Sequence, residues 1–137
     1  MNVHVLSPGL LSSIQDTGRH GFRHLGVGSA GAMDAYSHAI ANLLVGNPVG
    51  APVLEITMAG PRLRIQRATR IALCGADIVA RCDGRDLAGW RTIDLPAGSE
   101  LKFTLANVRL GDFSLVPELL SSPGTQVLAA PDWQSEK

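Results

Sequence analysis

Asp16 and Arg19 lie three residues apart across Gly18, a spacing that lets a carboxylate and a guanidinium meet around a tight turn. Two chemistries fit that pair. In one, the residues make a local ion pair or an Asx-type turn that fixes the loop. In the other, Arg19 holds a carboxylate or phosphate in fork geometry while Asp16 orients a polar group or moves a proton. His20 and His24 have the i,i+4 spacing of a helical metal pair, but Gly21 and Gly26 argue against a helix there. No His, Cys and Asp cluster completes a ligand set, so no metal is expected. Asp34 precedes helical sequence and can either cap the free N–H groups or leave them to an anion; capping is the favoured reading. Glu55 sits on the polar face of an apolar strand beside Thr57. Such a residue is mostly a solvated face position and less often a carboxylate facing a barrel mouth. Gly26-Val27-Gly28 lacks the third glycine of a dinucleotide loop, no P-loop occurs, and Ser12 and Ser13 have no nucleophile-elbow context.

The elements that must position these groups follow from the pattern. Val3 and Val5 alternate with polar neighbours before Ser7-Pro8-Gly9 breaks the strand, and Leu10 to Gln15 is again extended. Gln15 to Asp34 carries five of the chain's 15 glycines and no sustained period, which predicts a loop of tight backbone turns. From Asp34 to Val45, Tyr36, Ile40, Leu43 and Leu44 recur at helical spacing and Gly46-Asn47-Pro48 supplies a stop. This predicts one short helix that packs on a sheet through Ile40 and Leu44 and presents His38 and Asn42 elsewhere. Val53 to Thr57 and Arg62 to Ile65, separated by Ala59-Gly60-Pro61, read as a hairpin. Arg70 to Cys74, Asp77 to Cys82, Trp90 to Leu95 and Ser99 to Leu105 read as further strands, with a turn at Asp83-Gly84. The fold class expected is mainly β with one α-helix, a barrel-like or sandwich domain. Residues 1–116 form that β-rich domain, with a strand around Phe113. Residues 117–137 read as a linker and short tail.

The bulk numbers exclude several partners. A chain of 137 residues with 45% hydrophobic and 18% charged content fits one globular domain with a real core. Twelve basic residues balance twelve acidic ones without a Lys/Arg block, so nucleic acid is not an expected partner. No signal-peptide pattern and no run of about 20 apolar residues occurs, which predicts a cytoplasmic chain without a membrane span. Cys74 and Cys82 lie eight apart, about 26 Å on one strand at ~3.3 Å per residue. Free buried thiols are expected rather than a disulfide.

The segments QDTGRHGFRHLGV, GAMD, ANLLVGNP and LEIT followed by GPRL, in this order and spacing, resemble the first half of the biotin-dependent carboxyltransferase-like family. ALCGAD, DGR and GWR followed by LPAGSELKF also match. The family includes the C subunit of bacterial 5-oxoprolinase, the second subunit of allophanate hydrolase-type proteins and the carboxyltransferase region of urea carboxylase. It also includes a protein that counteracts an inhibitor of a sporulation histidine kinase. The resemblance implies a fold related to cyclophilin-like barrels. It implies assembly with a paired subunit of similar architecture and a third lactam-utilisation component, and work on amide or lactam substrates. In that setting ATP is used by the assembled complex rather than bound by this chain, and biotin enters only in the carboxyltransferase branch. The motif positions fall on Gln15, Asp16, Gly18, Arg19 and Gly21, then on Gly31, Ala32, Met33 and Asp34, and later on Asn42, Asn47 and Glu55. Asp16 and Arg19 are the expected catalytic pair, and Gln15, Gly31, Asp34, Asn42 and Glu55 the expected substrate-binding residues. RLGDFSLVP resembles the strand that closes the family's first half and TQVLAAPDW the opening of its second, as though an internal segment were lost. The expected function is a 5-oxoprolinase component that is not active alone. The alternatives are a partner-binding regulator and a carboxyltransferase-type domain for urea or allophanate.

Overall fold

The computed structural model describes residues 3–76, 78–105 and 125–130. Among them, ten strands form two five-stranded antiparallel sheets that pack as a sandwich, with one helix outside. The strands are β1 (Val3–Ser7), β2 (Leu11–Gln15), β3 (Val53–Thr57), β4 (Arg62–Ile65), β5 (Thr69–Gly75), β6 (Ile78–Cys82), β7 (Arg85–Leu87), β8 (Thr92–Leu95), β9 (Glu100–Leu105) and β10 (Thr125–Ala129). The helix α1 spans Ala35–Val45 between β2 and β3. One sheet has the order β1-β4-β9-β6-β7 and the other β2-β3-β10-β5-β8. The mainly β class with one helix is therefore what the chain adopts. The expected strand around Phe113 and the linker Pro117 to Gly124 lie outside the described residues.

Period-two alternation builds the core. Leu54 and Ile56 of β3, Leu63 and Ile65 of β4, Ile71 and Leu73 of β5, and Leu101 and Phe103 of β9 project between the sheets. The alternate residues of the second sheet, Val53, Ala72, Cys74, Val127 and Ala129, project outward and are covered by Ala41 and Val45 of α1. The middle of the second sheet is thus buried on both faces, which explains why β3 and β5 lack an open polar side, while the edge strands β2 and β8 remain largely exposed.

Three expectations are corrected. Val53–Thr57 and Arg62–Ile65 are not a hairpin: β3 pairs with β2 and β10, while β4 pairs with β1 and β9. The turn at Ala59-Gly60 carries the chain from one sheet to the other, beside the similar crossing from β1 to β2, to which it is tied by the Leu10 N–H donating to the Ala59 carbonyl at 2.8 Å. A short turn signal cannot distinguish pairing from crossing, because both need the same local bend. Thr125–Ala129, read as tail sequence, is instead the central strand of the second sheet, antiparallel to both β3 and β5.

The third correction concerns the helix face. α1 buries Ser37, His38, Ala41, Asn42 and Val45, and leaves Tyr36 70% and Leu43 56% exposed. Ile40 and Leu44 pack against this contact as expected, partly buried, and the correction is that His38 and Asn42 lie in it rather than elsewhere. The bed beneath is made of Ala72, Ala129, Val127 and Cys74, small enough to bring the helix close through Ala41. Polar side chains can be buried there because the chain supplies partners: Asn42 Nδ2 donates to the carbonyls of Ala51 (2.8 Å) and Val49 (3.3 Å). The capping expectation stands. Asp34 Oδ1 accepts from the Ser37 N–H at 2.9 Å, and Gly46 closes the helix at φ 80°. The hairpin at Asp83-Gly84 joins β6 to β7 as expected. Cys74 and Cys82 are free thiols on different sheets.

Candidate functional site

The glycine-rich segment leaves β2 after Gln15 and returns at α1, and its two ends lie against one another. The Arg19 N–H donates to the Ser29 carbonyl at 2.6 Å and the Ala32 N–H to the Asp16 carbonyl at 2.9 Å. At this neck Gly18 (φ +78°) and Gly31 (φ +95°) face each other. A Cβ on Gly18 would lie 2.4 Å from the Ala30 carbonyl oxygen, and one on Gly31 2.8 Å from the Gly18 nitrogen. Only two glycines allow both the left-handed backbone and the close approach. Beyond the neck, Arg19 to Gly28 is exposed throughout, with one 3-10 turn at Arg23–Leu25.

Asp16 makes the Asx turn: its Oδ1 accepts the Gly18 N–H at 2.7 Å. No ion pair joins it to Arg19 among the described residues, so the guanidinium projects from the neck without a charged partner there. The His20 ring Nε2 meets the Thr17 carbonyl at 3.0 Å, and no His/Cys/Asp/Glu group among the described residues is arranged to hold a metal.

Behind the neck lies a polar seam on the outer face of the second sheet. Ser13, Glu55, Val127 and Cys74 stand side by side across four strands. Gln15, two residues along β2 from Ser13, donates from Nε2 to Ser13 Oγ at 3.1 Å. Glu55 is 7% exposed and its Oε2 accepts the Met33 N–H at 2.8 Å. The solvated-face reading of Glu55 is therefore overturned: α1 and the loop close over that face, and the carboxylate anchors the end of the loop. Asp34 follows directly. Burial pushes its carboxyl up, but the Ser37 hydroxyl and the Ser37 and Tyr36 N–H groups together hold it below the ordinary 3.8. Burial raises the neighbouring Cys74 thiol to about 11.

Gln15, Gly31, Asp34 and Glu55 thus converge on the loop neck and the start of α1, with Asp16 and Arg19 on its exposed side. Asn42 does not. It is 0% exposed, and besides its two carbonyl partners it accepts from Asn47 Nδ2 at 3.0 Å, while the same Nδ2 reaches the Ala130 carbonyl at 3.0 Å. Asn42 and Asn47 bracket the turn from α1 to β3 against the end of β10. The sequence reading missed the burial of His38, which is 2% exposed on the helix face toward the sheet with its Nε2 unpaired among the described residues. A lone histidine inside a weak apolar stripe gave no signal for that.

Residues 25–113 match the family model described as carboxyltransferase domain, subdomain A and B. The chain belongs to that carboxyltransferase family. It is 41% identical over 98 residues to the C subunit of 5-oxoprolinase from Escherichia coli, a match covering 71% of this chain and 31% of that protein. It is 42% identical over 105 residues to a putative urea carboxylase of Emericella nidulans, covering 73% of this chain and 8% of the relative. The solved urea carboxylase of Kluyveromyces lactis superposes with a TM-score of 0.78 at 31% identity, over 93% of this chain and 10% of that one. The chain therefore spans less than a third of the length of these carboxyltransferase relatives. No described helix is long and apolar enough to cross a membrane.

Proposed function

We propose that this carboxyltransferase-family chain contributes one wall of an amide- or lactam-active site in a cytoplasmic 5-oxoprolinase-type assembly. The observation that carries this reading is the neck itself: a rigid glycine crossing that presents the Arg19 guanidinium with no charged partner among the described residues, beside Asp16. Arg19 holds the carboxylate of a substrate such as 5-oxoproline by paired N–H donors. Asp16, whose Oδ1 is used by the Asx turn, turns Oδ2 toward a substrate N–H or a water. Gln15, Gly31, Asp34 and Glu55 fix the wall behind them.

The assembly supplies the rest, namely a paired subunit of similar architecture and a third lactam-utilisation component. ATP is assigned to those partners. The glycine loop does not fit a nucleotide phosphate, because the space freed by Gly18 and Gly31 is filled by the opposite backbone. Biotin belongs to a second reading, a carboxyltransferase-type domain acting on urea or allophanate, favoured by the likeness to the urea carboxylases. There biotin arrives as a substrate arm on another segment.

The chain is combined with its partner subunits and assayed for ATP-dependent conversion of 5-oxoproline to glutamate. Turnover that falls about a hundredfold in Asp16→Ala and in Arg19→Ala supports the reading. Turnover unchanged by Asp16→Ala removes Asp16 from the mechanism. Tight subunit binding without turnover favours a partner-binding regulator, and turnover of urea with a biotinylated carrier favours the second reading.

A further inference from the structure

Each sheet of the sandwich ends in two edge strands, and among the described residues three of the four are protected against pairing with another strand. β1 carries a register shift between Val5 and Ser7, β7 is three residues long with Arg85 and Asp86 in it, and Asp94 of β8 is ion-paired to Arg70. β2 has none of these devices. Its sequence, Leu-Ser-Ser-Ile-Gln, is uncharged, and it stays in register with β3 from Leu11 to Gln15, with no described strand on its other side.

The sandwich is also open along this edge. Ile14 lies opposite Leu54 of the core and Val5 of β1 opposite Leu63, so both point inward between the sheets. They are nonetheless 51% and 55% exposed. At the opposite edge the equivalent inward residues, Leu87 of β7 and Ile93 of β8, pack against the core. Leu10 and Leu11, at the start of β2, add two further exposed apolar side chains. A regular, uncharged edge beside uncovered apolar surface is what folded monomers avoid unless a strand covers it.

The strand that fits must be uncharged and regular as well. A copy of β1 brings its register shift, and a copy of β7 or β8 would set Arg85, Asp86 or Asp94 against Leu11 or Ile14, whereas β2 matches itself. Antiparallel pairing centred on Ser13 places Leu11 opposite Gln15 and Ser12 opposite Ile14 of the other copy, with no charges opposed. The two Ile14 side chains become diagonal neighbours about 7–8 Å apart, on the inward face and within reach of one another. We propose that β2 binds β2 of a second copy of this chain about a two-fold axis at Ser13, so that the two second sheets run on as one. This short edge is small beside the ~1,200 Å² of a standard interface, so the dimer is weak and reversible. The pairing needs nothing from the loop neck, and it stands or falls independently of the amide-active reading.

The test is sedimentation equilibrium of the full chain from about 1 to 500 μM, with the variants Ile14→Lys and Ile14→Glu. The parent mass should rise from one chain toward two. Each variant alone should stay monomeric, because it sets like charges side by side, and an equimolar mixture of the two should recover the dimer. A parent that is monomeric throughout, a dimer unchanged in Ile14→Lys, or a mixture that stays monomeric overturns the proposal. Slow amide exchange from Leu11 to Gln15 in a monomeric parent would assign the edge to another part of the same chain. Should either variant fail to fold, Ser13→Cys decides, because the paired Cα atoms stand about 4.5–5.5 Å apart at the axis, within disulfide range. An oxidised covalent dimer for Ser13→Cys and none for Leu11→Cys supports the pairing, and equal yields or no cross-link overturn it.

Discussion

Glu55 Oε2 accepts the Met33 N–H at 2.8 Å across 22 residues of sequence, so one buried carboxylate ties the second sheet to the end of the glycine loop. Removing the side chain leaves a part-buried N–H without this acceptor. Glu55→Ala should cost on the order of 1–3 kcal/mol in urea unfolding, with faster amide exchange concentrated at Ala32 to Asp34. Glu55→Gln, which keeps an acceptor, should cost less. Unaltered exchange in Glu55→Ala would show that the contact does not hold the loop.

The cap at Asp34 makes a second expectation, with a defined pH window. Its folded carboxyl titrates below the ordinary 3.8, so the folded state binds its proton less readily than the unfolded one. The stabilisation is present above pH 4 and is lost as pH falls through the folded value. Asp34→Ala should lower stability by about 1 kcal/mol at pH 7, and the difference from the parent chain should shrink at pH 3. A difference that does not change with pH would rule out the ionised cap.

Gly18 and Gly21 both have positive φ, but only Gly18 has backbone in the space a Cβ would take. Gly21→Ala therefore carries conformational strain alone, roughly 1 kcal/mol. Gly18→Ala adds a clash with the Ala30 carbonyl and should destabilise clearly more, with a lower thermal midpoint. Equal midpoints would mean that the neck opens freely.

Asn42→Ala separates a structural from a ligand-binding role for that residue. It removes the donor to the carbonyls of Val49 and Ala51 and one of the two acceptors of Asn47 Nδ2, which keeps the Ala130 carbonyl, and should cost about 2–3 kcal/mol in denaturant unfolding. A variant of full stability with impaired substrate binding would reverse the assignment.

Burial raises Cys74 to about 11 from 9.0. Between those values the unfolded chain releases a proton that the folded chain keeps, so stability falls as pH rises through 9. Native protein at pH 8 should leave Cys74 unlabelled by a thiol reagent, and urea should expose it. Rapid native labelling of Cys74 would contradict its burial.

The strand pattern, the helix with its cap and stop, the Asp83-Gly84 hairpin and the tight glycine loop were legible in the sequence, because each depends on neighbours within a few residues. Alternation put Leu54 and Ile56 on one face of β3 without contact information. The motif positions around Gln15 to Asp34 were legible through family resemblance.

What the neighbours along the chain do not encode, only the tertiary structure decided. Whether the turn after Thr57 pairs two strands or crosses between sheets depends on the strands waiting on each side. Glu55 is buried because a loop 22 residues earlier in the chain folds back over it, and Asn42 because Val49 and Ala51 turn their carbonyls to it. The face α1 buries takes in Ala41 and Val45 with Ile40 and Leu44 beside them, and the small residues of β5 and β10 bring the helix close enough that Ser37, His38 and Asn42 are buried with it. Local sequence determined the elements and where the loop must be tight, and long-range packing determined which of its polar groups are anchors and which face outward.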